Sequence, residues 1–378
     1  MSYSILYESC PWHTRVALFD ENKRLLMVRF DDPSRKLIEG AHVLGRVRRI
    51  SKALAAAFVD IGDVTDGFLP LKTVQEADKL TEGAEVMVRV TRGRTEGKGA
   101  RLDARVLLER PENVEKIPFT VKPAAPALSR ILMDAGDTPV DVWVVDNRFV
   151  SEVAELVPHN KIHALDKEDS DLLEHFDEQI HGLAGPTFNI PGGGRLKVEI
   201  TSAVTSIDVD SGHGNPTGKN HHDTVMETNL RAAEEIARLC RLLDLGGSII
   251  IDFISMSSKK DRYAVEERLA QSFQQRDSRK VEILKMSRFG LLEINRQQAG
   301  ESLLVLVNQP AYIAGAALLE LWRHRVQGRK AVLEASPDVA SILQSRLTND
   351  SALAYLGAPV DIRENLGFKD QYYNVIIK

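Results

Sequence analysis

Apolar and polar positions alternate through Arg15–Phe30, RVALFDENKRLLMVRF, on both sides of Asp20-Glu21-Asn22, which predicts two strands joined by a turn. HVLGRVRRI, ALAAAFVDIG, DGFLPL and AEVMVRVTRGRTEGKGARL follow. Their short strands, glycine punctuation and lack of helical period predict a small β-barrel of the OB type. VKPAAPALS, around Pro123 and Pro126, breaks the pattern and marks a boundary. LSRILMDAG, VDVWVVDNRFV and the stretch to about residue 185 mix helical and extended runs, as in a small α/β unit. Residues 224–244 place Leu230, Ala233, Ala237, Cys240 and Leu243 on one stripe, predicting an amphipathic helix. Thr224 and Glu227 fit a capping box at its start, and Gly246-Gly247 suit its end. Ser248-Ile-Ile-Ile-Asp-Phe-Ile254 is apolar on both faces and predicts a buried central strand, interrupted by Asp252.

Two features of this last third carry chemistry. In Thr205-Ser-Ile-Asp-Val-Asp-Ser-Gly212 an extended chain points Asp208 and Asp210 one way and Ile207 and Val209 the other. The bland use of such aspartates beside Ser-Gly is to cap the following turn. An ionised Asp252 inside a buried strand is expensive unless it is paired or binds a metal, and open α/β sheets keep ligands at strand carboxyl ends. Asp208 and Asp252 on neighbouring strands then suit one Mg²⁺, which takes one or two carboxylates and keeps several waters. A salt bridge from Asp252 to Arg288 or another arginine is the structural alternative.

Composition narrows the partners. A chain of 378 residues predicts two to four modules, and 43% hydrophobic with 27% charged residues is typical of soluble globular proteins. No apolar run approaches the ~20 residues of a membrane span, and MSYSILYESCPWHTR lacks the marks of a signal peptide, so a cytoplasmic protein without membrane contact is expected. Cys10 and Cys240 support neither a disulfide framework nor a cysteine-rich zinc site. A net charge of −5 gives no global attraction to nucleic acid, so such a role rests on local patches. Arg46, Arg48, Arg49 and Lys52 cluster at one end of the β-rich block, and Arg89, Arg92, Arg94, Lys98 and Arg101 at another. Beside Phe58 and Phe68 they offer single strands cations for phosphates and planes for bases, or else form a solvated basic face.

Taken together, HVLGRVRRISKALAAAFVDIGDVTDGFLPLK, TSIDVDSG, METNLRAAEEIARLCRLLDLGGSIIIDFISM and MSRFGLLEINRQ resemble the RNase E/G family of bacterial endoribonucleases, over about residues 15–110 and 185–300. The resemblance implies an α/β multidomain fold. An RNase H-like subdomain (1–37 and 125–199) is interrupted by an OB-fold RNA-binding domain (38–112), and a DNase I-like catalytic subdomain (200–300) and a small C-terminal α/β domain (312–378) follow. It implies that Asp208 and Asp252 hold a catalytic Mg²⁺, that Phe58, Phe68 and Lys98 grip single-stranded RNA, and that Arg288 lies near it. The implied reaction is Mg²⁺-assisted hydrolysis of single-stranded RNA to 5′-phosphate and 3′-hydroxyl ends, in RNA processing or decay.

Four departures qualify the resemblance. Only residues 111–125 stand where the family has a long segment that senses a 5′-monophosphate, so such sensing is not expected. The family's zinc link is replaced by AGESLLVLVNQPAYIAGAA, without cysteine, so a zinc-bridged dimer is not expected, while a homodimer through the C-terminal domain stays open. Asp210 stands where the family has Asn, and Ser255 where it has Asp. The loop SGHGNPTGKNHHDT brings His213, Lys219, His221 and His222 beside the site. Asp210, His213, Lys219 and His221 are therefore further catalytic candidates, as a third ligand, general acid or base, or stabiliser of phosphorane charge. A rearranged or metal-independent nuclease, and an RNA-binding protein without chemistry, are the alternatives.

Overall fold

The computed structural model describes residues 3–95, 97–165, 170–212, 221–275, 277–324, 330–348, 354–357, 359–368 and 372–377. The chain opens with β1 (Tyr3–Cys10), β2 (His13–Phe19) and β3 (Leu25–Asp31), an antiparallel meander. The expected turn is present: the Asp20 carboxylate accepts the N–H groups of Asn22 and Arg24, and Lys23 takes a left-handed φ of 59°. Both faces of these strands are covered, Leu6, Ala17, Phe19 and Val28 on one side and Ile5, Val16, Leu18 and Met27 on the other.

Between β3 and the rest of this sheet the chain builds a barrel from β4 (His42–Ser51), β5 (Ala56–Asp60), β6 (Gly67–Pro70), β7 (Glu85–Arg92) and β8 (Arg101–Asp103). The ten-residue β4 closes it, pairing with β7 through its first half and β5 through its second. Gly45 makes the bend possible, because a Cβ there would lie 2.7 Å from the Asp60 carbonyl oxygen. Val43, Val47, Val59, Leu69, Val88 and Leu102 fill the interior. β9 (Phe119–Lys122) adds to the start of β4 and leads back out.

The chain then completes the first sheet with α1 (Ala127–Ala135), β10 (Val140–Val144), α2 (Val150–Ala154), β11 (Ile162–Ala164) and α3 (Ser170–Gly182), in strand order β11-β10-β1-β2-β3. A second sheet contains β12 (Thr187–Asn189), β13 (Arg195–Ile200), β14 (Thr205–Asp210), β15 (Gly247–Asp252), β16 (Val281–Ile283) and β17 (Leu291–Arg296). Its order is β12-β13-β14-β15-β17-β16, so it includes strands before residue 200, the boundary that the resemblance implies.

α4 (His221–Leu242) and α5 (Lys259–Gln274) cover one face of this sheet, burying Leu196, Val198, Ile207, Val209, Ile249, Ile251, Leu292 and Ile294 with Ala233, Ile236, Ala237, Val265 and Leu269. α4 begins at His221, so Thr224 and Glu227 lie inside its first turns. It ends at Leu242, and Asp244 just beyond, with a φ of 50°, supplies the left-handed residue expected from Gly246-Gly247.

α6 (Leu303–Leu306), α7 (Pro310–Arg323), β18 (Ala331–Ala335), α8 (Pro337–Arg346), β19 (Val360–Glu364) and β20 (Tyr373–Ile377) complete the chain, the three strands ordered β19-β18-β20. This segment shares a core with the β1–β2 turn through Cys10, Trp12, Leu318, Trp322 and Leu333. Arg323 also joins Glu8, Arg15 and Asp177 in a largely buried ion network, in which the two arginines hold the Glu8 and Asp177 carboxyls below the usual carboxylate range. No helix among the described residues is long and apolar enough to cross a membrane.

Candidate active site

β14 and β15 run parallel, and Asp208 and Asp252 are direct register partners across them. Neighbouring strands lie about 4.8 Å apart, so the two side chains leave the same face side by side. Neither carboxylate has a hydrogen-bond or ion-pair partner among the described residues, so the alternative salt bridge from Asp252 to Arg288 is not formed.

Asp252 corrects one expectation. β15 is central in its sheet but buried on one face only: Ile249 and Ile251 are fully covered, Ile250 is 36% exposed, and Asp252 is exposed with it. Exposed to water, the Asp252 carboxylate carries no cost of burial. What remains is an unpaired carboxylate pair in the middle of an open sheet face.

Asp210 shares that face but not that situation. Its Oδ1 accepts the Gly212 N–H at 3.0 Å, the turn-capping role, while Asp208 accepts no such bond among the described residues. Across the sheet, Lys197 is the register partner of Asp208, and Arg195 that of Asp210. Lys197 bonds Glu199 at 2.8 Å, and its ammonium pKa is raised by Glu199 first and also by Asp208.

The segment after Asp252 is held by Asn229, a fully buried residue of α4. Its Nδ2 donates to the Ile254 carbonyl at 2.8 Å and its Oδ1 accepts the Ile254 N–H at 3.1 Å. Asn229 escaped the sequence argument, although a lone amide inside the apolar stripe of α4 was the available signal. On the other side, Gly290 has φ +94°, and a Cβ there would lie 2.5 Å from the Phe253 carbonyl oxygen. That close approach fixes the turn carrying Arg288 and Phe289. The Arg288 guanidinium stacks on the Phe289 ring at 4.8 Å, and the Ser255 hydroxyl lies 3.5 Å from the Phe289 carbonyl oxygen. Phe289 is 64% exposed, and Leu291, the register partner of Asp252, 44%.

His213 and Lys219 lie outside the described residues. His221 is exposed at the first residue of α4, and the engaged imidazole is His222 instead. It bonds Asp261 at 2.8 Å, with Asp223 at 3.4 Å, and the Asp261 bond raises its pKa above the ordinary 6.5. Among the described residues no three or more His, Cys, Asp or Glu side chains gather as a metal cluster. Cys10 and Cys240 are buried in separate cores, which pushes both thiols up to about 12.

A second surface forms on the barrel. Register pairing aligns Arg49, Phe58, Phe68, Arg101 and Arg92 in one row across five strands. The phenylalanine rings meet edge-on at 6.0 Å between centroids, with Arg49 4.5 Å from Phe58 and Arg101 5.8 Å from Phe68. Arg46, Arg48 and Arg94 pair instead with Glu85, Asp60 and Asp63, so part of each basic cluster is neutralised while Arg49 and Arg101 stand against the rings. Lys98 is exposed at a tight turn paired with Thr95, outside the row. No hydrogen bond or ion pair among the described residues joins this row to the aspartate pair. The barrel is anchored to the segment that follows β17 by the Gly93 N–H, which donates to the Ala299 carbonyl at 2.7 Å.

Residues 36–105, which contain β4 to β8, match the S1 RNA binding domain family, and residues 79–299, more than half of the chain, match the ribonuclease E/G family. The chain belongs to the ribonuclease E/G family. It is similar to ribonuclease E of Escherichia coli strain K12, 28% identical over 76% of this chain and 36% of that protein. The chloroplastic ribonuclease E/G-like protein of Arabidopsis thaliana is 33% identical over 53% of the chain and 21% of its own length. Ribonuclease G of Salmonella typhimurium strain SL1344 is 24% identical over the whole of both. The matched part of the chain spans 36% and 41% of the ribonucleases E of E. coli and Haemophilus influenzae.

Proposed function

We propose that this member of the family is an endoribonuclease of RNA processing or decay, which cuts single-stranded RNA by metal-assisted hydrolysis with Asp208 and Asp252 holding one Mg²⁺. The observation that carries the reading is the register pair Asp208 and Asp252, on the open face of a family-matched sheet, with no ion pair or hydrogen bond to either carboxylate among the described residues. Two adjacent carboxylates facing water fit Mg²⁺, which takes one or two such ligands and completes its shell with waters. When bound, Mg²⁺ supplies charge stabilisation at the scissile phosphate and acidifies a coordinated water, giving 5′-phosphate and 3′-hydroxyl ends.

The chain's own residues orient the rest. Asn229 and Gly290 fix the backbone that follows Asp252, at Ile254 and Phe253, and Phe289, backed by Arg288, offers a base a stacking plane. On the barrel, the Arg49–Phe58–Phe68–Arg101 row suits unpaired bases stacked on rings between phosphate-binding cations. Duplex RNA keeps its bases from such a row. Asp208→Asn and Asp252→Asn test the reading: each is expected to lose at least about a hundredfold in cleavage while binding the same RNA with little change. Cleavage within about threefold of wild type in both variants overturns the assignment.

A further inference from the structure

The open face of the second sheet is divided by its two aspartates. Toward β12, Lys197 and Arg195 stand opposite Asp208 and Asp210, with Thr187 and Asn189 opposite them in turn, and all four of these non-acidic residues are exposed. Toward β17 the neighbours are apolar: Leu291 beside Asp252, and Phe289 at the turn before it. If Lys197 and Arg195 served only to neutralise the aspartates, ion pairs to Asp208 and Asp210 would be present. Lys197 pairs instead with Glu199, and Arg195 has no ion-pair or hydrogen-bond partner among the described residues. A polyanion reaching this face meets Glu199, Asp208, Asp210, Asp252 and Glu293, so cations beyond a metal are needed to hold it.

We propose that Arg195 and Lys197 form a phosphate-binding subsite that holds the RNA backbone on the β13 side of the cutting position, while bases on the other side lie against Phe289 and Leu291. The subsite rests on the reading of the Asp208–Asp252 pair as the cutting site. Two same-face residues of a strand are about 7 Å apart, which lets the pair engage neighbouring phosphates of an extended strand. Arginine and lysine are the side chains suited to such contacts, and neither is committed to a buried partner.

The test measures binding of a labelled, unstructured oligoadenylate by the full chain carrying Asp252→Asn, which prevents cutting, over a series of salt concentrations. Arg195→Gln with Lys197→Gln is added to that parent, and Arg268→Gln, which removes an exposed partner of Glu234 on the helical side, is the control. Each phosphate contact on a single strand contributes about 0.7 to the slope of log affinity against log salt, so the double variant is expected to lose about 1.4. Its affinity falls about tenfold or more at low salt, Arg268→Gln leaves the slope unchanged, and in the cutting enzyme the double substitution raises KM more than it lowers kcat. Arg195→Gln alone, which breaks no contact, loses about 0.7 and guards against a folding defect in the double variant. An unchanged slope, with RNA binding by the parent intact, overturns the subsite and leaves the cutting site standing. Failure of the parent to bind RNA overturns the reading beneath it.

Discussion

At Asp208 the carboxylate stands beside Asp252 with no cation bonded to it among the described residues, whereas Asp210 gives an oxygen to the Gly212 N–H. Their substitutions should therefore differ. Asn keeps an oxygen that caps the turn, so Asp210→Asn is expected to retain cleavage within about fivefold, against the hundredfold loss at Asp208, in the same steady-state assay. Asn229 acts through the backbone, since both of its amide atoms hold Ile254. Asn229→Ala leaves a half-buried N–H and C=O without their partner, at up to about 1–3 kcal/mol each, and is expected to lower the thermal midpoint by several degrees along with kcat. A normal midpoint in that variant would show that the clamp contributes nothing. The sequence singled out Asp208 by its spacing and Asp252 by a burial cost that the exposed carboxylate does not carry, while the different hydrogen bonding of Asp208 and Asp210 was not legible, because it depends on which oxygen reaches a single N–H.

β15 shows how an element misleads. Ile249, Ile250 and Ile251 read as a strand covered on both faces, yet helices cover only the face of Ile249 and Ile251. An apolar run cannot say which of its sides a neighbour occupies, and Ile250 on the open side belongs to the candidate site's floor. The barrel strands were legible from their punctuation. The row Arg49, Phe58, Phe68, Arg101 was not, because its members lie up to fifty-two positions apart and meet only through the register that barrel closure sets. Stacking of a base is worth about 1–3 kcal/mol, so Phe58→Ala and Phe68→Ala should each weaken single-strand binding roughly 5- to 150-fold while leaving duplex binding unaffected; equal losses for both RNAs would contradict the stacking role.

Between α4 and α5, His222 supplies a pH-dependent tie. Its pKa is raised in the folded chain by Asp261, so the stabilisation is fully present below the ordinary 6.5 and is lost as pH rises through the raised value. Exposure keeps the effect small. The difference in thermal midpoint between wild type and His222→Gln is accordingly expected at about pH 5.5 and absent by about pH 9. A difference that grows with pH would contradict the assignment.

Across the whole molecule, a barrel inserted between β3 and α1 is joined by Gly93 to the segment that follows β17, a strand of the sheet whose open face carries the aspartates. The barrel row and the aspartate face are separate surfaces of a chain with net charge −5, so in the proposed reading local cations on both must hold the RNA. The measurement that tests this account most directly is cleavage of an end-labelled, unstructured RNA by wild type and Asp252→Asn, in Mg²⁺ and in EDTA, with the chemical ends of the fragments determined. The account predicts 5′-phosphate and 3′-hydroxyl ends that require Mg²⁺ and vanish in the variant. Fragments that persist in EDTA, or that carry 2′,3′-cyclic phosphates, would contradict it and shift the chemistry away from the aspartate pair.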